Sequence, residues 1–594
     1  MRRRTLLVAL TVLALSGAPE RALAGCRIGE LAELPVTMNA MRPLVTARIN
    51  GTEAQFIADS GAFFSMITPS AAEQFKLRPE VSPGFFISGV GGDTRAWLTT
   101  VRTFTLFGVA FRNVPFVVGG NGLEGAAGLL GQNVFRILDA DVEYDLAHGA
   151  IRLFRTHDCR KTILAYWTRE QPLPVSVVRI EWATRESPHT RSVALVNGAR
   201  IRVMFDTGAW ASVLSLAAAE RAGVKPGGAG VVAAGQSHGV GQRMAQSWIA
   251  PFASFKIGDE EILNTHLRIG DIGSRDTDML IGTDFFLSHR IYVAISQGKL
   301  YFTYNGGPVF NLTSQPLAAL AGGKAQPGSA EPPPPEDEPK DAAGFSRRGA
   351  AFTARRDYEH AIADLTRACE LTPTEPEYFY QRGIAHWANS QPDLAGADFD
   401  RALELKADDV PALIARARLR LQVGERAPAL ADLDAADRAA PEQSDLRLQM
   451  AHLYTRAGGF EHAVTQLDKW IGAHGSDVQI PEARHARCWA RALAGSDLDK
   501  ALADCNAALK ARPGNAPILD SRGVVRLRLG DLDRAIADFD SALTLDPRRS
   551  WALYGRGLAR SRKGESDAAD ADIAAAVAIT PDIEDRAREY GLAR

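Results

Sequence analysis

The sequence lacks any excess of charge of one sign, since 68 lysines and arginines face 70 aspartates and glutamates. Such a balance indicates neither a nucleic-acid partner nor a polybasic surface for anionic lipids. The HExxH motif of zinc peptidases and the GxxxxGK[ST] phosphate-binding loop are also missing. We therefore expect no nucleic-acid partner, no metal and no other cofactor.

An apolar run long enough to span a bilayer is missing too, because the pronounced run Leu6–Leu15 is too short. Three arginines precede it, and Ala22-Leu23-Ala24 follows it as an A-x-A-type cleavage site. Residues 1–24 are therefore predicted to be a signal peptide, and the protein to be periplasmic or secreted. The segment Leu23–Cys26 also resembles a lipobox, which leaves open a lipid anchor at Cys26 as the alternative.

Cysteine is scarce, with five residues in the chain. In an oxidising compartment, Cys26 and Cys159 are predicted to form a disulfide, because they stand at the two ends of the first globular segment. Closing so long a loop is worth roughly 4 to 5 kcal/mol at most. Cys369, Cys488 and Cys505 fall in a helical region and are interpreted as small buried apolar residues.

The chain does contain a duplicated β-rich unit. Asp59 follows an apolar run in FIADSGAFFSMI, and Asp206 does so in VMFDTGAWASVL. Each aspartate lies nine residues after an Asn-Gly pair, which is a strong hairpin-turn signal. Five landmarks recur in one order, with spacings that differ by no more than four residues: Asn50 and Asn197, Asp59 and Asp206, Ser65 and Ser212, Gly89–Gly91 and Gly239–Gly241, Gly131 and Gly282.

The remainder of the chain changes character after the duplicated unit. Residues 313–343 are rich in proline and acidic residues, a composition that predicts a solvated linker. From 344 to 583, alanine and glycine recur with a period near 34 residues, and proline ends many of the units. This pattern resembles the tetratricopeptide repeat, or TPR, and predicts seven helical pairs with residues 584–594 as a cap. The concave face of such a solenoid is expected to bind a protein partner.

The doubled D-[ST]-G-A stretches, each followed by an apolar-apolar-Gly segment, resemble the aspartic proteases and in particular the retropepsin branch. This resemblance predicts an all-β, bilobal double β-barrel, with one half over 25–160 and the other over 161–312, followed by the all-α solenoid. It implies an endopeptidase in which Asp59 and Asp206 form a catalytic dyad. Ser60 and Thr207 would orient the dyad, and Gly61 and Gly208 would let backbone N–H groups approach it.

Two aspartates are needed because neighbouring carboxyls cannot both ionise, and the pair titrates as a unit. The ionised member can take a proton from a water molecule while the protonated member polarises the scissile carbonyl. The resemblance also assigns two flaps that close over an extended peptide. Their residues are Gly89, Val90, Gly91, Gly239, Val240 and Gly241.

Two alternatives remain open at the level of the sequence. The dyad could form across a homodimer of equivalent halves, although both aspartates on one chain favour an intrachain pair. The protein could also be a catalytically inactive scaffold of the cell envelope, in which both modules bind peptides.

Overall fold

The structure of the chain, a computed structural model, describes residues 21–23, 26–80, 86–90, 92–120, 123, 125–135, 140–169, 173–181, 189–237, 245–274, 276–310, 338–475 and 477–593. Most of the predicted signal peptide and of the predicted linker lies outside these ranges. Within them, the predicted fold class is confirmed: a β-rich double barrel precedes a helical solenoid. None of the helices in these ranges has the length and apolar character required to cross a membrane.

The β-rich part contains strands joined by short helices. The strands are β1 (Arg21–Leu23), β2 (Cys26–Pro35), β3 (Thr37–Asn39), β4 (Arg42–Ile49), β5 (Thr52–Ala58), β6 (Met66–Ile67), β7 (Phe86–Gly89), β8 (Gly92–Arg95), β9 (Trp97–Leu106), β10 (Val109–Val118), β11 (Gly128–Leu130), β12 (Asp141–Asp145), β13 (Ala150–His157), β14 (Ser176–Arg179), β15 (Arg191–Val196), β16 (Ala199–Phe205), β17 (Val213–Ser215), β18 (Val232–Ser237), β19 (Ala245–Ile257), β20 (Glu260–Gly270), β21 (Met279–Ile281), β22 (His289–Ala294) and β23 (Lys299–Tyr304). The α-helices are α1 (Pro69–Gln74), α2 (Gln132–Phe135), α3 (Leu216–Arg221) and α4 (Thr283–Ser288). Single 3₁₀ turns span Leu146–His148, Tyr166–Arg169 and Ile295–Gln297.

Each half of the duplication closes into a six-stranded barrel. The first barrel runs in the order β4-β5-β11-β6-β10-β9 and closes by pairing β9 with β4. The second runs β15-β16-β21-β17-β20-β19 and closes by pairing β19 with β15. Each barrel begins with one of the predicted hairpins. The turns are Asn50-Gly51 in the first barrel and Asn197-Gly198 in the second, and all four residues have positive φ. Positive φ at both central residues is what a two-residue turn between twisted strands requires.

A third sheet joins the two halves, in the order β1-β2-β13-β12-β22-β23-β14. At its centre β12 pairs antiparallel with β22, with Glu143 opposite Tyr292. Glu143 is fully buried, and its carboxylate contacts Arg290 of the second half at 2.8 Å and Arg152 of the first at 3.0 Å. The hydroxyl of Tyr166 donates to the same carboxylate at 2.6 Å. A buried charge needs such partners, so this network fixes one half against the other.

The two cysteines at the ends of the first half, Cys26 and Cys159, form a disulfide, which is the pair named from the sequence. The interpretation of the helical cysteines was wrong for two of them, because Cys488 and Cys505 form a second disulfide. They lie 17 residues apart on the two antiparallel helices of one repeat, and their proximity depends on how those helices cross. Cys369 is a buried free thiol.

The solenoid consists of seven antiparallel helical pairs and a final helix within the described residues. The helices are α5 (Ala342–Ala354), α6 (Tyr358–Leu371), α7 (Pro376–Ala388), α8 (Pro392–Leu405), α9 (Val410–Gln422), α10 (Arg426–Ala439), α11 (Leu446–Ala457), α12 (Phe460–Ala473), α13 (Ile480–Ala494), α14 (Leu498–Ala511), α15 (Ala516–Leu529), α16 (Leu532–Leu545), α17 (Ser550–Arg562), α18 (Ser566–Ile579) and α19 (Ile583–Glu589). Small residues recur because the two helices of a pair nearly touch. A Cβ placed on Gly383 of α7, for example, would lie 2.6 Å from the ring of Phe399 in α8.

The first helix of the solenoid packs directly on the β-rich part. Helix α5 contacts β3 and the 3₁₀ turn Leu146–His148, and its Ala350 and Ala351 belong to the hydrophobic core of the barrels. A Cβ on Gly149 would come within 2.5 Å of the Cβ of Arg347. The double barrel therefore packs against α5, the first helix of the solenoid.

Candidate active site

Each aspartate stands where a barrel strand ends beside a parallel neighbour. The N–H of Asp59 donates to the carbonyl of Leu130 in β11 at 2.9 Å, and that of Asp206 donates to Ile281 in β21 at 2.8 Å. After each of these bonds the chain turns sharply, and the aspartate carboxylate accepts hydrogen bonds from backbone N–H groups of the turn that follows it. Asp59 Oδ1 accepts from the N–H groups of Gly61 and Ala62 at 2.9 and 2.8 Å.

The second loop repeats this arrangement. Asp206 Oδ1 accepts from the N–H groups of Gly208 and Ala209 at 2.9 and 3.2 Å. Asp59 and Asp206 are both half-buried as whole residues. The two loops therefore present their carboxylates in the same way.

Within this single chain, each carboxylate lies against the glycine of the opposite aspartate loop. A Cβ placed on Gly61 would lie 2.2 Å from Cγ of Asp206, and one on Gly208 would lie 2.4 Å from Cγ of Asp59. Each glycine is thus required where the opposite carboxylate approaches its backbone. The intrachain arrangement favoured from the sequence is the one observed, so the geometry needs no second copy of the chain.

Burial, followed by the negative charge of Asp206, raises the pKa of Asp59 well above its ordinary value. Burial also raises the pKa of Asp206. Hydrogen bonds from Gly208 and other groups act in the opposite direction, because they favour the ionised form of this carboxyl. Two neighbouring carboxyls in such an environment retain one proton between them over a wide pH range.

The residues after the aspartates hold the two loops together. The N–H of Ser60 donates to the hydroxyl of Thr207 at 2.9 Å, and the N–H of Thr207 donates to the hydroxyl of Ser60 at 3.0 Å. Each hydroxyl also donates across the interface, Ser60 to the carbonyl of Phe205 and Thr207 to that of Ala58. Ser60 and Thr207 are buried, so these bonds are shielded from water.

Both loops are supported from beneath by the apolar-apolar-Gly segments. Asn133 accepts from the N–H and the hydroxyl of Ser65 at 2.7 and 2.9 Å. In the second half, Asp284 Oδ1 accepts from the N–H and the hydroxyl of Ser212 at 2.9 and 2.7 Å. These contacts explain why both serines lie six residues after their aspartates.

Two further supporting residues were missed from the sequence. Gln132 donates its side-chain amide to the carbonyl of Ser60 at 2.8 Å, and the hydroxyl of Thr283 donates to the carbonyl of Thr207 at 2.9 Å. Both stand directly after the glycine of their segment, at Gly131 and Gly282. The two residues share this offset in the sequence, but a glutamine and a threonine differ in chemistry, so residue type alone does not mark them as equivalent.

The first predicted flap is a hairpin of β7 and β8. A Cβ on Gly273, in the second half, would lie 2.4 Å from the carbonyl oxygen of Gly89 and 3.6 Å from Cα of Val90. The turn of this hairpin therefore crosses from the first half to the second. Gly91, Gly239, Val240 and Gly241 lie outside the described residues, so the second flap stays a prediction.

The walls next to the dyad differ between the halves. The first half has Phe63 and Phe64, whose rings lie 4.3 Å apart, and Phe64 is 47% exposed. The second half has Trp210, over which the guanidinium of buried Arg268 lies at 4.8 Å. The part of the chain that the structure describes holds no group of three or more His, Cys, Asp or Glu side chains that could bind a metal ion.

Two aspartate-bearing loops that meet between two closed barrels define the fold of the aspartic proteases. Comparison with family models agrees: residues 45–134 and 193–285 match the model described as aspartyl protease. Residues 349–390 and 516–549 match models described as TPR repeat and tetratricopeptide repeat. The chain thus carries a duplicated aspartyl-protease-like domain followed by TPR repeats. No curated protein matches it.

Among solved structures, the chain is similar to TPR proteins. One is YrrB, described as a TPR protein with an unusual peptide-binding site, at 21% identity over 32% of this chain and 97% of that chain, with a TM-score of 0.29. Another is a tetratricopeptide repeat protein from Parabacteroides merdae, at 19% identity over 42% of this chain and 98% of that chain, with a TM-score of 0.33.

Proposed function

We propose that the protein is an exported aspartic endopeptidase whose Asp59 and Asp206 activate water for hydrolysis of peptide bonds. The observation that carries this proposal is that, within one chain, each carboxylate is held by the N–H groups of its own loop and lies against the glycine of the other loop. Their raised pKa values support a shared proton, which the reaction requires.

In this mechanism the ionised carboxylate takes a proton from water as the water oxygen attacks the scissile carbonyl carbon. The protonated carboxyl donates to the carbonyl oxygen and stabilises the charge that develops there. The tetrahedral intermediate then collapses: the C–N bond breaks, and the nitrogen receives a proton from the dyad. Ser60 and Thr207 would keep the carboxylates in register, and the β7–β8 flap would cover the bound peptide.

Export is part of the proposal. Two disulfides fit an oxidising compartment, as the predicted signal peptide of residues 1–24 does. We place the protein in the periplasm or outside the cell, with a lipid anchor at Cys26 as the alternative. That cysteine is disulfide-bonded through its sulfur to Cys159, whereas a lipid anchor would occupy the same sulfur, so the structure favours the unlipidated form.

The test is hydrolysis of a denatured protein by the full-length chain, its Asp59→Asn variant and its Asp206→Asn variant. We expect each substitution to abolish cleavage while leaving the fold intact, as judged by circular dichroism. Cleavage that survives either substitution contradicts the dyad. Absence of turnover by the parent at any pH from about 3 to about 8, with peptide binding retained, supports the inactive scaffold instead.

A further inference from the structure

A buried tyrosine, Tyr144, lies beneath the two aspartate loops. It belongs to β12, the strand of the third sheet that pairs with β22 of the second half. Its side chain is 2% exposed and packs in the hydrophobic core of the barrels, with its ring 5.2 Å from that of Phe286. Phe286 belongs to α4, which also carries Thr283 and Asp284, the residues that support the second aspartate loop. The ring of Tyr144 therefore packs on an element that supports the dyad.

The hydroxyl of Tyr144 reaches the first aspartate loop, where it forms hydrogen bonds with the side chains of Ser60 and Gln132. Ser60 and Gln132 are themselves buried, and the Gln132 amide donates to the carbonyl of Ser60 at 2.8 Å. Burial raises the pKa of Tyr144, so the hydroxyl keeps its hydrogen. The three side chains thus form one buried polar cluster directly after Asp59.

The other hydrogen bonds of these neighbours determine which group donates. The hydroxyl of Ser60 donates its one hydrogen to the carbonyl of Phe205 at 3.0 Å and accepts from the N–H of Thr207. Toward Tyr144 it therefore acts as an acceptor, and the tyrosine hydroxyl donates. The Tyr144 oxygen can in turn accept the second amide hydrogen of Gln132, since the first is used at the Ser60 carbonyl. The tyrosine hydroxyl thereby completes the hydrogen bonding of two residues that hold the first loop.

The equivalent position in the second half holds a valine. Tyr144 and Val293 each lie five residues before a hairpin glycine with positive φ, Gly149 or Gly298, and the strands of the two hairpins pair in the same register. Valine has no hydroxyl to donate. At this position of the third sheet, only the first half therefore offers a hydrogen-bond donor to its aspartate loop.

We propose that Tyr144 is a positioning residue of the dyad, which fixes the hydroxyl of Ser60 and through it the carboxylate of Asp59. Ser60 joins the two loops through Phe205 and Thr207, so a shift of its hydroxyl changes how the Asp59 carboxylate meets the opposite loop. The expected effect on hydrolysis rests on the proposed function, whereas the hydrogen bond between Tyr144 and Ser60 does not.

The kinetic test is Tyr144→Phe, which removes the hydroxyl and keeps the ring. We expect kcat for a denatured protein to fall about tenfold with KM unchanged, because a small displacement of a carboxylate affects the chemical step and not the binding of substrate. The rates are compared at equal folded fraction, as judged by circular dichroism.

The matched control is Tyr292→Phe, which removes a buried tyrosine hydroxyl from the neighbouring strand β22. Tyr292 lies opposite Glu143, so its side chain is on the other face of the sheet from that of Tyr144, where it packs on Phe154. We expect kcat of this variant to equal that of the parent. The positioning role is overturned if Tyr144→Phe keeps the parent's kcat, or if Tyr292→Phe loses as much.

A double-mutant cycle with Ser60→Ala tests whether the effect passes through Ser60. When residue 60 is already alanine, we expect Tyr144→Phe to lower kcat by no more than about twofold. A tenfold loss in that background as well would mean that Tyr144 does not act through Ser60.

Urea unfolding of the same four proteins needs no activity. We expect Tyr144→Phe to lower the urea midpoint of the parent, and to lower that of Ser60→Ala clearly less, because the hydroxyl has already lost its acceptor there. Equal shifts in the two backgrounds overturn the hydrogen bond. If Ser60→Ala does not fold, Gln132→Leu removes the other partner of the hydroxyl and takes its place in the cycle. A parent that cleaves nothing contradicts the proposed function, and unfolding then decides the contact on its own.

Discussion

Ser60 and Thr207 hold each other by two reciprocal hydrogen bonds, in which each backbone N–H donates to the other residue's hydroxyl. They lie 147 residues apart, one in each half of the duplication. Because both hydroxyls also donate to backbone carbonyls of the facing strand end, four bonds cross between the two aspartate loops. The relative position of the two carboxylates therefore depends on these two side chains.

Replacing Thr207 by valine is expected to destabilise the protein and to lower kcat. The substitution leaves the buried N–H of Ser60 and the carbonyl of Ala58 without their partner, at about 1 to 3 kcal/mol for each group. Thr207→Ser keeps the hydroxyl and serves as the control. Urea unfolding measures the loss of stability, and hydrolysis of a denatured protein measures the loss of kcat. If the valine variant equals the serine variant in both stability and kcat, the Thr207 hydroxyl does not have the proposed role.

Gly61→Ala is expected to abolish hydrolysis, because the new Cβ would lie 2.2 Å from Cγ of Asp206. A displacement of the carboxylate by about 1 Å is enough to lower the rate roughly 100-fold. The control is Gly29→Ala, whose Cβ has its nearest contact at 3.9 Å, to the carbonyl of Arg155. The measurement is the initial rate of hydrolysis by the two variants at equal folded fraction. Similar rates would mean that the Asp206 carboxylate does not approach Gly61 as closely as the structure shows.

The dyad is expected to make the protein less stable as the pH rises. Both carboxyls have a pKa above the ordinary 3.8, so the folded state holds their protons more tightly than the unfolded state does. The stabilisation is complete below about pH 4 and is lost as the pH rises toward the folded pKa values.

Asp59→Asn removes the carboxyl whose pKa is raised well above its ordinary value, so the stability of this variant should fall less over this window. Urea midpoints of parent and variant at about pH 4 and about pH 7 measure the difference, to which the other titrating groups contribute equally. Parallel pH profiles for the two proteins contradict the raised pKa values.

The disulfide between Cys488 and Cys505 is expected to stabilise the fifth repeat. It closes a loop of 17 residues, for which chain entropy gives about 3 kcal/mol. The double variant Cys488→Ala/Cys505→Ala should therefore unfold at a lower urea concentration by far-ultraviolet circular dichroism. Cys369→Ala, at a buried free thiol, is the control. Free thiols at both positions in the oxidised protein, found by mass spectrometry without reduction, would rule out the bond.

Local signals in the sequence predicted the elements of the site well. The Asn-Gly turns, the doubled aspartates and the 34-residue period each depend on a few neighbouring residues, and each produced the hairpins, loop ends and helical pairs expected of it. The roles of Gln132 and Thr283 were missed because a glutamine amide and a threonine hydroxyl serve the same purpose without resembling each other.

The sequence by itself determined that two similar halves precede a helical array, since duplication and periodicity are properties of residue order. Only the tertiary structure decided that Asp59 meets Asp206 within one chain, that Cys488 bonds to Cys505, and that Asp445 of the solenoid reaches Gly125 of the first half. Each of these contacts joins residues whose separation is set by how strands, helices and whole domains pack, and no local pattern encodes that packing.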